Sequence, residues 1–92
     1  MALVPKALPA SGSSTLFTGA VQVGGFTYNN GSGGAGVITI YDNTAASGKV
    51  IYQESVATVT AVTRVFNPPI TTTIGVTVNL SAGTATGAVW MD

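Results

Sequence analysis

The sequence predicts an all-β protein, a small antiparallel β-sandwich of about seven short strands with an extended N-terminal arm. From Thr15 onward, apolar side chains recur close to every second residue, which is the period of a half-buried strand. The apolar runs are short, clusters of Gly, Pro, Asn and Ser separate them, and no stretch combines helical periodicity with caps. A small barrel, or an open sheet completed by a neighbouring subunit, would show the same pattern.

Residues 1–14 are predicted to form the extended arm and residues 15–92 the β-sandwich domain. The segment MALVPKALPASGSS holds two of the four prolines, so we expect few internal hydrogen bonds there. Its prolines and Lys6 also interrupt the apolar run that a secretion signal requires. The arm is either disordered or lies across a partner. Its predicted contact residues are Leu3, Val4, Pro5, Leu8 and Pro9.

The first strand is predicted over 15–23, with Phe17, Val21 and Val23 on one face. The pair Gly24-Gly25 predicts a break or bulge, beyond which residues 26–28 continue the strand. The glycine-rich stretch NNGSGGAG (29–36) predicts a flexible loop.

The stretch GVITIYDNTAASGKVIYQ (36–53) predicts a hairpin whose two strands, 37–41 and 49–53, are rich in β-branched residues. Asp42 and Lys49, two of the six charged residues, lie at its connection. We interpret them as residues that cap and solubilise the hairpin tip, with Asp42 and Asn43 setting the turn.

The last third of the chain predicts two more strands and a C-terminal hairpin. A strand over 55–66 changes the parity of its apolar residues near its middle, which indicates a bulge or a crossing between sheets. Asn67-Pro68-Pro69 is expected to end it, because two prolines cannot lie in a central ladder. The clearest strand is 70–80, and after a turn at 81–83 residues 84–92 complete the hairpin. The predicted apolar face of 70–80 is Ile70, Ile74, Val76, Val78 and Leu80.

The chain carries little charge. Only 7% of its residues are charged and they sum to zero, against about 25% in a typical soluble domain. Without a basic stripe we expect no nucleic-acid binding, and the strand-sized apolar runs predict no membrane span.

A domain of 92 residues without cysteine is marginal as an isolated monomer. We therefore expect oligomerisation, or docking onto a larger body.

Residues suited to catalysis are scarce. Cys and His are absent, which removes the common ligands of zinc and other transition metals. Asp42, Glu54 and Asp92 are the only acidic side chains, and the many Ser and Thr residues have no base to activate them. GSGGAG (31–36) matches the dinucleotide fingerprint formally but leads into a strand instead of a helix. We expect neither enzymatic activity nor a cofactor or small-molecule substrate.

Aromatic residues offer one alternative function. Tyr28, Tyr41, Tyr52 and Trp90 could form the sugar platform of a carbohydrate-binding module. A simpler interpretation is that Tyr41 and Tyr52 pair across the hairpin and that Trp90 packs in the core.

Two hairpin patterns resemble a group of short β-rich virion proteins of tailed bacteriophages. The first is GVITIYDNTAASGKVIY (36–52), and the second is IGVTVNLSAGTATGAVWM (74–91), which follows the sequence FNPPI. In that group, an ITIYD-[ST]-ASG-x-V hairpin precedes a C-terminal hairpin of the form G-[LV]-x-V-x-[VL] with a later G-T and V-x-V. The resemblance covers residues 15–91 and includes no catalytic or ligand residues.

The resemblance implies a small β-sandwich within a phage particle, and a head decoration (cement) protein is the role that we favour. Its expected partners are the major capsid protein and further copies of itself in a homotrimer. Its expected location is the capsid surface of the virion, after synthesis in the host cytoplasm. Another virion component, such as a head–tail completion protein or a tail or fibre-associated domain, is the alternative.

Overall fold

The computed structural model describes residues 3–92 and contains eight antiparallel strands within that range. The strands are β1 (Val4–Ala7), β2 (Gly12–Thr18), β3 (Val21–Asn30), β4 (Gly36–Asp42), β5 (Lys49–Val56), β6 (Thr60–Thr72), β7 (Gly75–Leu80) and β8 (Ala85–Met91). They form two four-stranded sheets, with the orders β1-β8-β3-β6 and β2-β7-β4-β5. The predicted all-β sandwich is confirmed. None of the described residues forms a helix long and apolar enough to cross a membrane.

The core lies between the two sheets and is built mainly by their central strands, β8 and β3 in one sheet and β7 and β4 in the other. Alternate side chains on these strands point inward, as the period of two predicts. Each fully buried aliphatic or aromatic side chain stabilises the fold by about 1.5–3 kcal/mol. The fully buried apolar side chains include Val23, Phe26, Tyr28, Ile38, Ile40, Val76, Val78 and Val89.

The segment predicted as an arm is part of the sandwich wherever the structure describes it. β1 pairs along the edge of β8, with Val4 opposite Met91, and β2 already begins at Gly12. Leu8, between the two strands, is only 9% exposed, and its N–H donates to the carbonyl of Gly87 at 3.0 Å. β1 thus satisfies backbone groups that β8 would otherwise leave unpaired. Met1 and Ala2 of the predicted arm lie outside the described residues.

The strand predicted over 15–23 is two strands in different sheets, β2 and β3. They are joined at Gly19, whose φ is +110° and whose N–H donates to the carbonyl of Ile74 at 2.8 Å. The apolar period runs through this turn unchanged, so the pattern could not reveal it. The predicted bulge at Gly24-Gly25 is confirmed as a shift in the β3 register.

The hairpin predicted from GVITIYDNTAASGKVIYQ is confirmed as β4 and β5. Its register runs from Gly36 opposite Val56 to Asp42 opposite Lys49, with one irregularity at Ile40 and Tyr41. Among the eight strands of residues 3–92, these are the only consecutive ones that lie side by side in one sheet.

The prolines at 68 and 69 do not end their strand, because β6 continues to Thr72. β6 is the outermost strand of its sheet, and its register with β3 passes from Val65 opposite Gly25 to Ile70 opposite Val23. The β6 residues between Val65 and Ile70, which include both prolines, therefore lie beside the bulge in β3, where the ladder is interrupted. A proline there removes no ladder hydrogen bond.

The predicted strand over 70–80 and the predicted C-terminal hairpin are also wrong. β6 ends at Thr72 and β7 begins at Gly75, so Ile74 lies exposed in a turn instead of on the apolar face. β7 and β8 belong to different sheets. Of the seven connections between the described strands, six therefore cross from one sheet to the other, and only the β4–β5 connection remains within a sheet.

Candidate functional site

The acidic side chains of the described chain lie apart from one another. Within residues 3–92 no group of three His, Cys, Asp or Glu side chains is placed to hold a metal ion. Asp42 is buried beneath a turn, and Glu54 pairs with Arg64.

The predicted contact residues of the N-terminal segment have different environments. Leu3 and Val4 are 43% and 52% exposed and Pro5 is exposed as well, so these three remain accessible at the sheet edge. Leu8 belongs to the core and Pro9 is half-buried, which leaves Leu8 little surface to offer a partner.

A cleft of about 280 Å³ opens between the edge strands β1 and β2. Val4 and Lys6 border it from β1 and Phe17 from β2, and Val21 and Met91 also line it. Its lining is mainly apolar, with Lys6 and the terminal residue Asp92 as the charged members. On this side of the molecule the two sheets are open.

The opposite side of the sandwich, between β5 and β6, is closed by aromatic rings. Tyr52 packs against Phe66 with ring centroids 5.0 Å apart, and against Phe26 at 5.5 Å. The rings are tilted by 51° and 55°, within the geometries that aromatic pairs prefer. These contacts join the edge strand of one sheet to the edge strand of the other.

An ion pair reinforces this closure. The guanidinium of Arg64 donates to both carboxylate oxygens of Glu54, with 2.8 Å between Nε and Oε1, and the hydroxyl of Tyr52 donates to Oε1 at 2.7 Å. Arg64 lowers the pKa of Glu54, and the ion pair raises that of Arg64. Donation to Glu54 raises the pKa of the Tyr52 hydroxyl. The arrangement is bidentate and links β5 of one sheet to β6 of the other.

Asp42 does not solubilise the hairpin tip as the sequence was interpreted. It is buried, and its Oδ1 accepts the backbone N–H of Ile74 at 2.9 Å, with Thr73 and Gly75 donating at 3.1 and 3.3 Å. Donation by Ile74, aided by Thr73 and Gly75, lowers the pKa of Asp42 against the opposing effect of burial. The carboxylate therefore joins the β4–β5 hairpin to the β6–β7 turn, 31–33 residues away in sequence.

Asn43 sets the hairpin turn, as predicted for the Asp42–Asn43 pair. Its side-chain amide donates to the carbonyl of Ser47 at 2.8 Å. The tip also bends onto the outer surface of its own sheet, because Thr77 donates its hydroxyl to the carbonyl of Asn43 at 2.8 Å and Thr15 donates to the carbonyl of Thr44 at 3.0 Å. The first end of the hairpin tip, at Asn43 and Thr44, is therefore tied to the sheet.

The glycine-rich loop predicted to be flexible is tied to its surroundings by Asn30. This fully buried side chain donates to the carbonyls of Gly34 and Val56 at 3.0 and 3.1 Å, and its oxygen accepts the hydroxyl of Ser32 at 2.7 Å. The hydroxyl of Thr58 donates to the carbonyl of Ser32 at 2.6 Å. These hydrogen bonds hold the loop in place where the chain passes from β3 in one sheet to β4 in the other.

The four aromatic residues considered for sugar binding do not share a surface. Tyr28 is fully buried, and Tyr52 lies in the aromatic closure. Tyr52 is opposite Ile40, whereas Tyr41 is opposite Val50, so the two tyrosines do not pair across the hairpin. Tyr41 and Trp90 lie on different sheets, and Trp90 is half-buried instead of in the core. A single aromatic platform is absent from these four positions.

The outer side of the β1-β8-β3-β6 sheet carries two cross-strand rows that we call the Trp90 face. The first row is Pro5, Trp90, Gly25 and Val65, and the second is Ala7, Ala88, Thr27 and Thr63. The intervening residues Phe26 and Val89 are fully buried on the other side of the sheet, which shows that the rows point outward.

No protein-family model, curated protein or solved structure matches this chain at a significant level.

Proposed function

We propose that this protein is a structural component of a tailed-bacteriophage virion, and specifically a capsid decoration protein that binds the major capsid protein and stabilises the head. The observation that carries the proposal is the β4–β5 hairpin over residues 36–56. Its turn and strand residues, ITIYD followed by ASGKV, are those on which the resemblance to such virion proteins rests.

The distribution of charge supports a role in packing. Asp42, Glu54 and Arg64 are engaged in contacts within the molecule, which leaves Lys6, Lys49 and Asp92 as the other charged side chains. A surface with few charges can be covered by a neighbouring protein with little desolvation cost. Many copies on one particle then turn modest individual contacts into durable attachment.

The docking segment that we propose is the exposed start of β1 together with the residue before it. Leu3, Val4 and Pro5 form an apolar, accessible edge next to the open cleft. The homotrimer implied by the resemblance stays a prediction.

Quantitative mass spectrometry of purified particles of the phage that encodes this protein tests the proposal. A decoration protein should be present at hundreds of copies per particle. A few copies would assign it to another virion component, such as a head–tail or tail protein, and would refute the decoration role. Absence from the particle would refute the proposal as a whole.

A matched pair of variants tests the docking segment. Val4→Asp places a carboxylate at the β1 edge, and Val50→Asp makes the same change at a similarly exposed position on β5 of the other sheet. We expect Val4→Asp to bind weakly to heads that lack the protein and Val50→Asp to bind like wild type. Equal binding by the two variants would contradict this assignment.

A further inference from the structure

We propose that Asn30-Gly31 is a self-modification site at which folding competes with loss of the Asn30 side-chain amide. The folded chain retains the amide, whereas a chain that stays unfolded loses it and can no longer form the sandwich. The inference does not depend on the proposed function, because it rests on the contacts of one side chain and on the chemistry of an asparagine followed by glycine.

The reaction needs water but no cofactor and no other side chain. The backbone nitrogen of Gly31 attacks Cγ of Asn30 and forms an N–Cγ bond; its proton passes through solvent to Nδ2, which leaves as ammonia when the Cγ–Nδ2 bond breaks. Water then opens the five-membered succinimide ring to aspartate or isoaspartate. Glycine favours the attack because it has no Cβ atom to crowd the nitrogen, and Gly31 is the only glycine that follows an asparagine in this chain.

In the folded protein the Asn30 amide is held by its neighbours. Nδ2 lies 3.0, 3.1 and 3.2 Å from the carbonyl oxygens of Gly34, Val56 and Ala57, which share its two hydrogens. Oδ1 accepts the N–H and the hydroxyl of Ser32 at 3.1 and 2.7 Å. Attack makes Cγ tetrahedral and moves Nδ2 and Oδ1 out of the amide plane, so these contacts must first break or distort.

Burial is a second barrier. The Asn30 side chain has no exposed surface, so the water that opens the ring has no access to Cγ. Residues 29–36 include no titratable side chain that could take the Gly31 proton. The reaction in the folded protein must therefore wait for the loop to open, and its rate falls with the open fraction.

The products oppose folding. The aspartate product places a buried carboxylate against three carbonyl oxygens, which accept hydrogen bonds and cannot donate them. The isoaspartate product also adds a carbon to the main chain at the end of β3, where Asn30 is opposite Thr60 of β6 and Ala85 of β8. The modification therefore separates chains that fold promptly from chains that do not.

Incubation of the full chain, folded in neutral buffer and unfolded in guanidinium chloride at the same pH and temperature, tests the protection. Peptide mapping by mass spectrometry measures amide loss at each asparagine. The matched control is Gly33→Asn, which adds a second asparagine–glycine pair at positions 33–34. Gly33 is exposed, and a Cβ atom there meets nothing within 4 Å. Circular dichroism establishes that this variant folds.

We expect Asn30 to lose its amide at least about ten times more slowly in the folded protein than in denaturant, because only the small open or unfolded fraction reacts. The pair added by Gly33→Asn should react at similar rates in the two conditions. Equal rates at Asn30 in both conditions would overturn the proposal. Equal protection of the added pair would also overturn it, since the contacts of Asn30 would then not be the cause.

Dilution of the incubated wild type out of denaturant tests the consequence. Size-exclusion chromatography followed by peptide mapping should find the amide in the refolded fraction and its loss in the unfolded fraction. Asn30→Asp should fail to refold or unfold at lower denaturant, whereas the matched control Asn29→Asp, at an exposed position, should behave like wild type. Refolding of molecules that lack the amide, or equal stability of the two variants, would contradict the proposal.

Discussion

Replacing Gly87 by alanine should destabilise the protein strongly. Gly87 lies within β8 opposite Tyr28 of β3, and its φ of +131° is one that residues with a side chain rarely adopt. A Cβ atom at this position would overlap the backbone carbonyl of Thr27 and would also lie 3.4 Å from Cδ1 of Leu8. The obstacle is backbone in the middle of a sheet, so it cannot rotate away.

The expected loss follows from these two effects. An unfavourable backbone conformation costs about 1–3 kcal/mol, and overpacking against fixed atoms costs about 1–3 kcal/mol. Gly87→Ala should therefore lower the free energy of unfolding by about 2–6 kcal/mol. A domain of this size has roughly 5–14 kcal/mol in total. The lower limit of the loss already predicts a melting temperature lower by about 8 °C or more.

Two further alanine substitutions make the experiment a graded series. Gly33 has no atom within 4 Å of the added Cβ, and at Gly24 the nearest atoms are the mobile end of the Leu3 side chain. Gly33→Ala should change stability by less than about 0.5 kcal/mol, and Gly24→Ala should fall between the other two. Urea unfolding followed by Trp90 fluorescence measures all three. If Gly87→Ala is as stable as Gly33→Ala, the register of β3 and β8 described above is wrong.

Three other perturbations test separate parts of the structure. The folded pKa of Asp42 lies below its unfolded value of about 3.9, so the stability that its carboxylate contributes should be complete above that pH and lost as pH falls through the folded pKa. We expect Asp42→Asn to be less stable than wild type at pH 7 and to lose less stability between pH 5 and 3. Equal losses of stability in the two proteins over this pH range, measured by urea titration, would contradict this. Leu8→Ala should lower the free energy of unfolding by about 2–5 kcal/mol and Leu3→Ala by less than about 1 kcal/mol, as measured by thermal unfolding. Similar losses in the two variants would indicate that residues 3–8 form an arm outside the sandwich, as the sequence predicted. The hydroxyl of Tyr28 is buried and has no hydrogen-bond partner among residues 3–92, so Tyr28→Phe should raise stability by about 1 kcal/mol, and a clear loss would reveal a partner for that hydroxyl.

The elements that are determined by residues close together in the sequence were predicted correctly. The β4–β5 hairpin follows from two β-branched runs and a turn between them, and the bulge follows from Gly24-Gly25. Connections that cross between the sheets were missed, because β2 passes into β3 and β6 into β7 without a break in the apolar period. Period two shows which side chains share a face but not which sheet the chain enters.

The polar contacts were harder to predict for the same reason. Asp42 was expected to cap the tip of its own hairpin, but the backbone amides that it accepts belong to a turn more than thirty residues away. Likewise Pro68 and Pro69 are tolerated because β6 is an outer strand beside a bulge, and neither condition is visible from neighbouring residues. The Trp90 face depends on residues from four strands that only the sheet order brings together.

The position of β8 between β1 and β3 has a consequence for biosynthesis. On the ribosome, β1 has no ladder partner until residues 85–91 have emerged, and the partner of β2 is β7, another late strand. Only the β4–β5 hairpin can form from segments that are close in the nascent chain. The sandwich should therefore fold only once β8 has been synthesised, in one slow cooperative step, as expected for chains dominated by distant pairings. Until then, the newly made strand edges are open to other chains.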